Sequence, residues 1–151
     1  MVFHERYRLW ERIPPAVRSR GLWWLWFITW LGLLAGLGDR TFWHYVVFFS
    51  AFHALLVFSL FGWRISPFPV QVRVAYFLWV AVGTFIPSME ILMFITIVGL
   101  ATNLFLEYCP LARMLYLLPW NRDESFSVDL LRRVFFSQPK PGKFSPPPPA
   151  A

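Results

Sequence analysis

The chain has 151 residues, the length of one ordinary soluble domain, yet 58% of them are apolar and 21% aromatic, far richer than a water-facing surface and a single core require. A net charge of +6 would suit nucleic acid if the cations formed a stripe on a polar face. They flank apolar runs instead, which argues against nucleic acid and makes anionic lipid headgroups the natural counter-charge. The lone Cys109 excludes an intrachain disulfide and any multi-cysteine metal site.

Residues 1–21 read as an interfacial element. Phe3, Tyr7 and Trp10 recur at i, i+4 and i+7, while Glu5, Arg6, Arg8 and Arg12 occupy much of the remaining surface, the pattern of a helix lying flat on the cytoplasmic leaflet. Pro14-Pro15 is expected to break this helix and let the chain turn into the bilayer. The first span then runs over 22–37. Trp23, Trp24 and Trp26 mark its headgroup boundary, and Gly32 and Gly36 form a small-xxx-small pair that lets another helix approach. No small-x-small cleavage pattern follows it and more apolar runs come after, so it reads as a retained span, not a signal peptide. The connection Gly38-Asp39-Arg40-Thr41 is so short that the next span must return antiparallel.

The second span, 42–63, is long enough to cross with tilt at about 1.5 Å per residue against about 30 Å of hydrocarbon. The third, 68–86, is apolar throughout only if Arg73 snorkels to the cytoplasmic headgroups. The fourth, 89–106, follows a tight turn at Pro87-Ser88, with Glu90 where the helix dipole favours an anion. Four spans leave all of the fourteen Lys and Arg residues but Arg40 on one side, the positive-inside asymmetry that puts both termini in the cytoplasm. Beyond the spans, 108–137 carries interfacial helices. Pro110 to Trp120, with Arg113 and Tyr116, suits the membrane surface, and Ser127 can cap an amphipathic helix from Val128 to Phe136 whose Leu131 and Phe135 sit at i and i+4. Residues 138–151 are a Pro-rich tail unable to build a core. The fold expected is an all-α integral membrane protein, four transmembrane helices as two antiparallel hairpins with interfacial helices at both ends, whose backbone groups are satisfied within each helix.

Ionisable groups at membrane depth carry the first functional hypotheses, because hydrocarbon solvates them poorly. His53 lies near the middle of the second span, with Ser50 one turn earlier on the same face. His44 points about 180° away around that helix, and His4 precedes the spans, so no bis-His haem is expected within one chain. A single imidazole can still ligate a five-coordinate haem or a bacteriochlorophyll magnesium. The other readings of His53 are a hydrogen-bonded histidine inside a bundle or at an assembly interface, and a proton-handling group.

On the fourth span Thr96, Gly99, Asn103 and Glu107 fall at i, i+3, i+7 and i+11, a semi-polar face that should point at protein. Thr96 and Asn103 read first as interhelical hydrogen-bonding groups and second as the lining of a small oligomeric transporter or channel. Glu107 is placed to pair with Arg113 or Arg73. Around Cys109, Arg113 would lower the thiol pKa and Glu107 would raise it. No paired catalytic histidine, Gly-rich phosphate loop, paired carboxylates or zinc-ligand spacing is present, so enzymatic activity is not expected.

The stretch Cys109-Pro110-Leu111-Ala112-Arg113-Met114-Leu115-Tyr116-Leu117-Leu118-Pro119-Trp120-Asn121-Arg122, entered from a membrane helix, resembles a signature of small uncharacterised bacterial inner-membrane proteins. Its Cys-Pro-Leu element is similar to one in the transmembrane domain attached to some bacterial rhodanese proteins, although no rhodanese domain is present here. The resemblance covers about a tenth of the chain and implies a bacterial cytoplasmic membrane. It supplies no catalytic residue. The expectation is a non-catalytic accessory or scaffold subunit, bound to membrane lipids and other integral subunits through Gly32, Gly36, Ser50, Thr96, Gly99 and Asn103, with Trp10, Trp23, Trp24, Arg113 and Trp120 at the interface. The alternatives are a tetrapyrrole-binding subunit with His53 as axial ligand and a small oligomeric transporter.

Overall fold

Arg12 is helical, Ile13 and Pro14 are not, and Pro15 begins a new helix, so the chain is interrupted at the proline pair as its sequence suggested. In the computed structural model, which describes residues 12–139 and 146–149, Pro15 occupies the first helical turn of α1 (Pro15–Ala35), where a missing N–H costs nothing. The helix continues without interruption past Gly21, so residues 15–21 belong to it. The expected helix around Phe3, Tyr7 and Trp10 lies outside the described residues. Five more helices follow: α2 (Thr41–Leu60), α3 (Phe68–Phe85), α4 (Ile91–Leu106), α5 (Pro110–Tyr116) and α6 (Val128–Phe136), with a 3-10 turn at Pro87–Met89 before α4. No strand occurs among the described residues.

Three helical stretches, Thr41–Leu60, Phe68–Phe85 and Pro87–Leu106, are long and apolar enough to cross a membrane. Their outward surfaces expose large apolar side chains, among them Phe48, Phe52 and Leu55 on α2, Leu78 and Phe85 on α3, and Phe94, Val98 and Phe105 on α4. Such faces suit hydrocarbon and would be costly in water. α1 matches them in length, but Arg18 and Arg20 occupy its beginning and its indoles are less apolar than aliphatic chains. α2 ends three residues earlier than expected, at a turn in which Gly62 and Trp63 both adopt positive φ and the Trp63 N–H donates to the Phe58 carbonyl at 2.9 Å. α4 closes on Glu107, also left-handed, with the Tyr108 N–H reaching back to the Thr102 carbonyl, one of the end carbonyls the helix itself leaves open.

The four long helices form a ring, α1 against α2 and α4, α3 against α2 and α4. Tryptophans stitch it. The indole N–H of Trp43 donates to the Leu33 carbonyl (3.1 Å), that of Trp30 to Ile97 (3.1 Å), that of Trp23 to Leu104 (3.3 Å) and that of Trp79 to Leu92 (3.3 Å). Each bond joins one helix to a backbone carbonyl of a neighbour. Trp23 thus does more than mark a lipid boundary, whereas Trp24 is exposed beside it. α2 and α3 meet instead through apolar packing of Val57, Phe61 and Val70. A central core of Leu33, Trp43, Val46, Val47, Tyr76, Val80, Met93, Leu100 and Leu104 joins all four. Gly32 and Gly36 serve this internal packing. A Cβ on Gly32 would come within 2.8 Å of Val46 Cγ2, and one on Gly36 would fall inside the Trp43 indole. At the opposite ends of α1 and α3, Arg40 ion-pairs with Glu90 across the two connections.

Beyond α4 the chain builds a small module. Cys109 caps α5, its Sγ accepting from the Ala112 N–H at 3.4 Å. Arg113, expected at the lipid surface, is buried. Its guanidinium donates to the Val134 carbonyl, to Ser137 Oγ (2.8 Å) and to the Gln138 carbonyl (3.1 Å), where the last carbonyls of α6 attract a cation. The Tyr108 hydroxyl, beneath the Arg113 guanidinium, donates to the Phe135 carbonyl at 2.8 Å. Ser127 caps α6 as expected, accepting from the Leu130 N–H at 3.0 Å, but Leu130 and Val134 are the buried pair, one position before Leu131 and Phe135. Asn121 Nδ2 ties the following turn to Gln71 Oε1 on α3 (2.7 Å) and to the Leu115 carbonyl (2.9 Å), and the exposed Trp120 donates to the same Gln71 oxygen.

Two outcomes are expected from this packing. Gly36→Ala should lower the stability of the detergent-solubilised protein by about 2 kcal/mol, the overpacking range, while Gly38→Ala, whose nearest neighbour is 3.6 Å away, should leave the thermal unfolding midpoint unchanged. Arg113→Met should strip hydrogen-exchange protection from α6 alone, costing that module about 2 kcal/mol for acceptors left unpaired.

Candidate functional site

A group of polar side chains gathers around Trp26, from three helices. The Trp26 ring lies 4.7 Å from the His53 ring and 4.9 Å from the Tyr76 ring, both edge-on, and the Arg73 guanidinium sits over it at 5.7 Å. Ser50 is one turn before His53 on the buried face of α2. Four buried polar atoms here lack a hydrogen-bond partner: Ser50 Oγ, His53 Nε2, Arg73 Nε and the Tyr76 hydroxyl. Unpaired polar groups are expensive in a bundle interior and rare in native proteins, and all four belong to this one region.

Arg73 departs from the snorkelling expected of it. Its Nη1 donates to the Pro69 carbonyl at 2.8 Å, and the side chain turns inward over Trp26. The three ion pairs among the described residues join Arg40 to Glu90 and Arg133 to Glu124 and Asp129, so no carboxylate among the described residues pairs with Arg73. Glu107, expected to pair with Arg113 or Arg73, is exposed in its left-handed turn.

Next to the group is a cavity of about 110 Å³ between α3, α4 and α5, with Trp26 and Tyr76 on one wall, Thr96, Gly99 and Asn103 on another, and Cys109 and Met114 at the α5 end. The Thr96–Gly99–Asn103 face thus points at protein, as its spacing suggested. Thr96 Oγ1 is satisfied by the Leu92 carbonyl of its own helix. His53 and Ser50 do not line the cavity, and Trp26 covers the His53 ring. No group of three His, Cys, Asp or Glu side chains placed to hold a metal occurs among the described residues. His44 is exposed near the far connection, its ring 5.5 Å from Phe85.

Sequence reasoning singled out His53, Ser50, Thr96, Gly99 and Asn103 but missed Trp26, Arg73 and Tyr76 as their neighbours. A signal was present: Arg73 precedes Tyr76 by three residues and Val80 by seven, which sets all three near one stripe of α3. No protein-family model matches the chain, and neither a curated protein nor a solved structure is found to be similar to it.

The Cys109 thiol, at the cavity's end, is pushed up in pKa by burial, against smaller downward pulls from the Ala112 and Leu111 N–H groups, Arg73 and Arg113. It is therefore a poor nucleophile at neutral pH. Maleimide labelling of the folded protein should be slow at pH 7, should still accelerate above about pH 8.5, where a free thiol is half ionised, and should become fast on unfolding. Rapid neutral labelling of the native state would overturn this placement of the thiol.

Proposed function

We propose that the chain is a four-span protein of a bacterial inner membrane, two antiparallel hairpins with both termini cytoplasmic, serving as a non-catalytic accessory subunit among other integral membrane proteins. α1 supplies the fourth span, its arginines lying at the headgroups and its indoles reaching into the bundle. The distribution of cations supports the orientation, and the signature from Cys109 to Arg122 supports the bacterial setting. That signature has a structural use: Cys109 caps α5, Arg113 fastens α6, and Asn121 ties the module to α3.

The observation that carries the accessory reading is the α5–α6 module. It is held rigidly by Arg113 and Tyr108, α6 contacts α5 and none of the four long helices, and it exposes Phe126, Val128 and Phe136 beside Arg132. A rigid, apolar and basic platform at the membrane surface suits both anionic headgroups and the flank of another integral subunit. Thr29, Thr96 and Thr102 bond their own backbone, and exposed polar residues of the long helices such as Arg20, Thr41 and His44 lie toward helix ends, which supports a lateral surface made for apolar contact. A transporter reading has less support, since the lining of the cavity is almost wholly apolar and α5 closes one end of it.

Extraction in mild detergent followed by native mass measurement tests the reading. The wild type should migrate with a larger assembly, and Phe136→Glu together with Val128→Glu should release it while its helical content stays unchanged. A chain that runs only as a symmetric oligomer of itself, or an assembly indifferent to both substitutions, contradicts it.

A further inference from the structure

Among the described residues Arg73 is a cation without a paired carboxylate. It sits five residues into α3, about 7.5 Å from the helix start at 1.5 Å per residue, a depth at which a lipid's charged group meets its acyl chains. Its Nε is buried and unpaired, its Nη1 donates to a carbonyl of its own helix, and the ion pairs of the described residues leave it out. One turn further on, Tyr76 presents a buried hydroxyl that also lacks a partner, and Tyr76 lines the cavity that Trp79, Ile95, Gly99 and Leu111 complete with apolar walls. A buried guanidinium and a spare hydroxyl donor beside an apolar slot match the two halves of an amphiphile: an anionic head for the donors and a hydrocarbon chain for the slot.

We propose that this corner of the bundle binds an anionic lipid, its headgroup oxygens accepting hydrogen bonds from Arg73 and Tyr76 and part of one acyl chain seated in the cavity between α3, α4 and α5. The site rests on the membrane-spanning reading and is independent of any partner subunit. Headgroup charge provides the selectivity through Arg73, whereas the cavity provides affinity common to any lipid with a matching chain. Gly99 separates the two contributions. Its nearest neighbour for an added Cβ is Pro110 Cγ at 3.9 Å, so a leucine there can be accommodated by the backbone while its side chain fills the slot and the charge stays in place.

The test uses the full chain purified in a neutral maltoside detergent, with phosphatidylglycerol, phosphatidylcholine and inorganic phosphate titrated separately and bound molecules read by native mass spectrometry. The wild type should retain one phosphatidylglycerol per chain, favoured over phosphatidylcholine by about fivefold, the effect of one cation near an anionic surface. Arg73→Gln should erase that preference, and Gly99→Leu should weaken both lipids equally while keeping it. Equal retention of the two lipids by the wild type, or an undiminished preference in Arg73→Gln, overturns the proposal. Displacement of phosphatidylglycerol by inorganic phosphate would assign the site to a free anion and overturn the lipid part. If Arg73→Gln does not fold, unchanged phosphatidylglycerol affinity in Gly99→Leu is sufficient to reject the site. Co-purified polypeptides appear at their own masses, so loss of a partner and loss of lipid are read independently.

Discussion

Hydrocarbon offers no hydrogen bonds, and four indole N–H groups in the helix bundle answer that constraint by donating to the backbone of neighbouring helices. Trp43 bonds α2 to α1, Trp23 and Trp30 bond α1 to α4, and Trp79 bonds α3 to α4. Between lipid-facing helices apolar burial contributes little to association, because lipid tails are as apolar as the side chains they would replace. Close approach and shared hydrogen bonds must do more. Hydroxyls follow the same rule by bonding their own helices: Thr29 to the Leu25 carbonyl, Ser59 to Leu56, Thr102 to Gly99.

Against that background the cluster at Trp26 is an exception with a pattern. The hydroxyls of Thr29, Ser59, Thr96 and Thr102 find carbonyls of their own helices, yet Ser50 Oγ, His53 Nε2, Arg73 Nε and the Tyr76 hydroxyl have no partner. Their helices are held close by surrounding contacts: Gly32 and Gly36 let α1 press onto α2, and Gly83, whose added Cβ would lie 2.8 Å from Met93 Sδ, lets α3 press onto α4. The packing of the bundle therefore keeps these donors and acceptors in place without satisfying them, a pattern more often associated with binding than with stability alone.

Much of the helix order was legible in the chain. Apolar runs bounded by Gly38 to Thr41, by Gly62 to Pro67 and by Pro87-Ser88 are simple punctuation, and Ser127 announced its own helix. What could not be read was direction. Pro14-Pro15 does interrupt the helix, but a proline pair stops one helix as readily as it begins the next, and nothing local said that Pro15 itself would open α1 seven residues before Leu22. Arg73 looked lipid-facing because side-chain length permits snorkelling, whereas the Trp26 ring that draws it inward is on another helix, 47 positions away in sequence. Arg113 looked interfacial for the same reason: its acceptors at Val134, Ser137 and Gln138 lie 21 to 25 residues on. Local pattern indicates which elements form; which long side chain finds which distant carbonyl depends on tertiary contact.

Three helices are long and apolar enough to cross a membrane, and we propose that α1 crosses it as well, making four spans. Reporter fusions in a bacterial host test it directly, with a cytoplasm-active and an export-active reporter placed in turn before Pro15, after Arg40, after Arg64 and after Ser137. Cytoplasmic activity at the first, third and fourth positions and export activity after Arg40 is the result expected. Ends on opposite sides of the membrane would remove α1 or another helix from the bilayer and contradict the account.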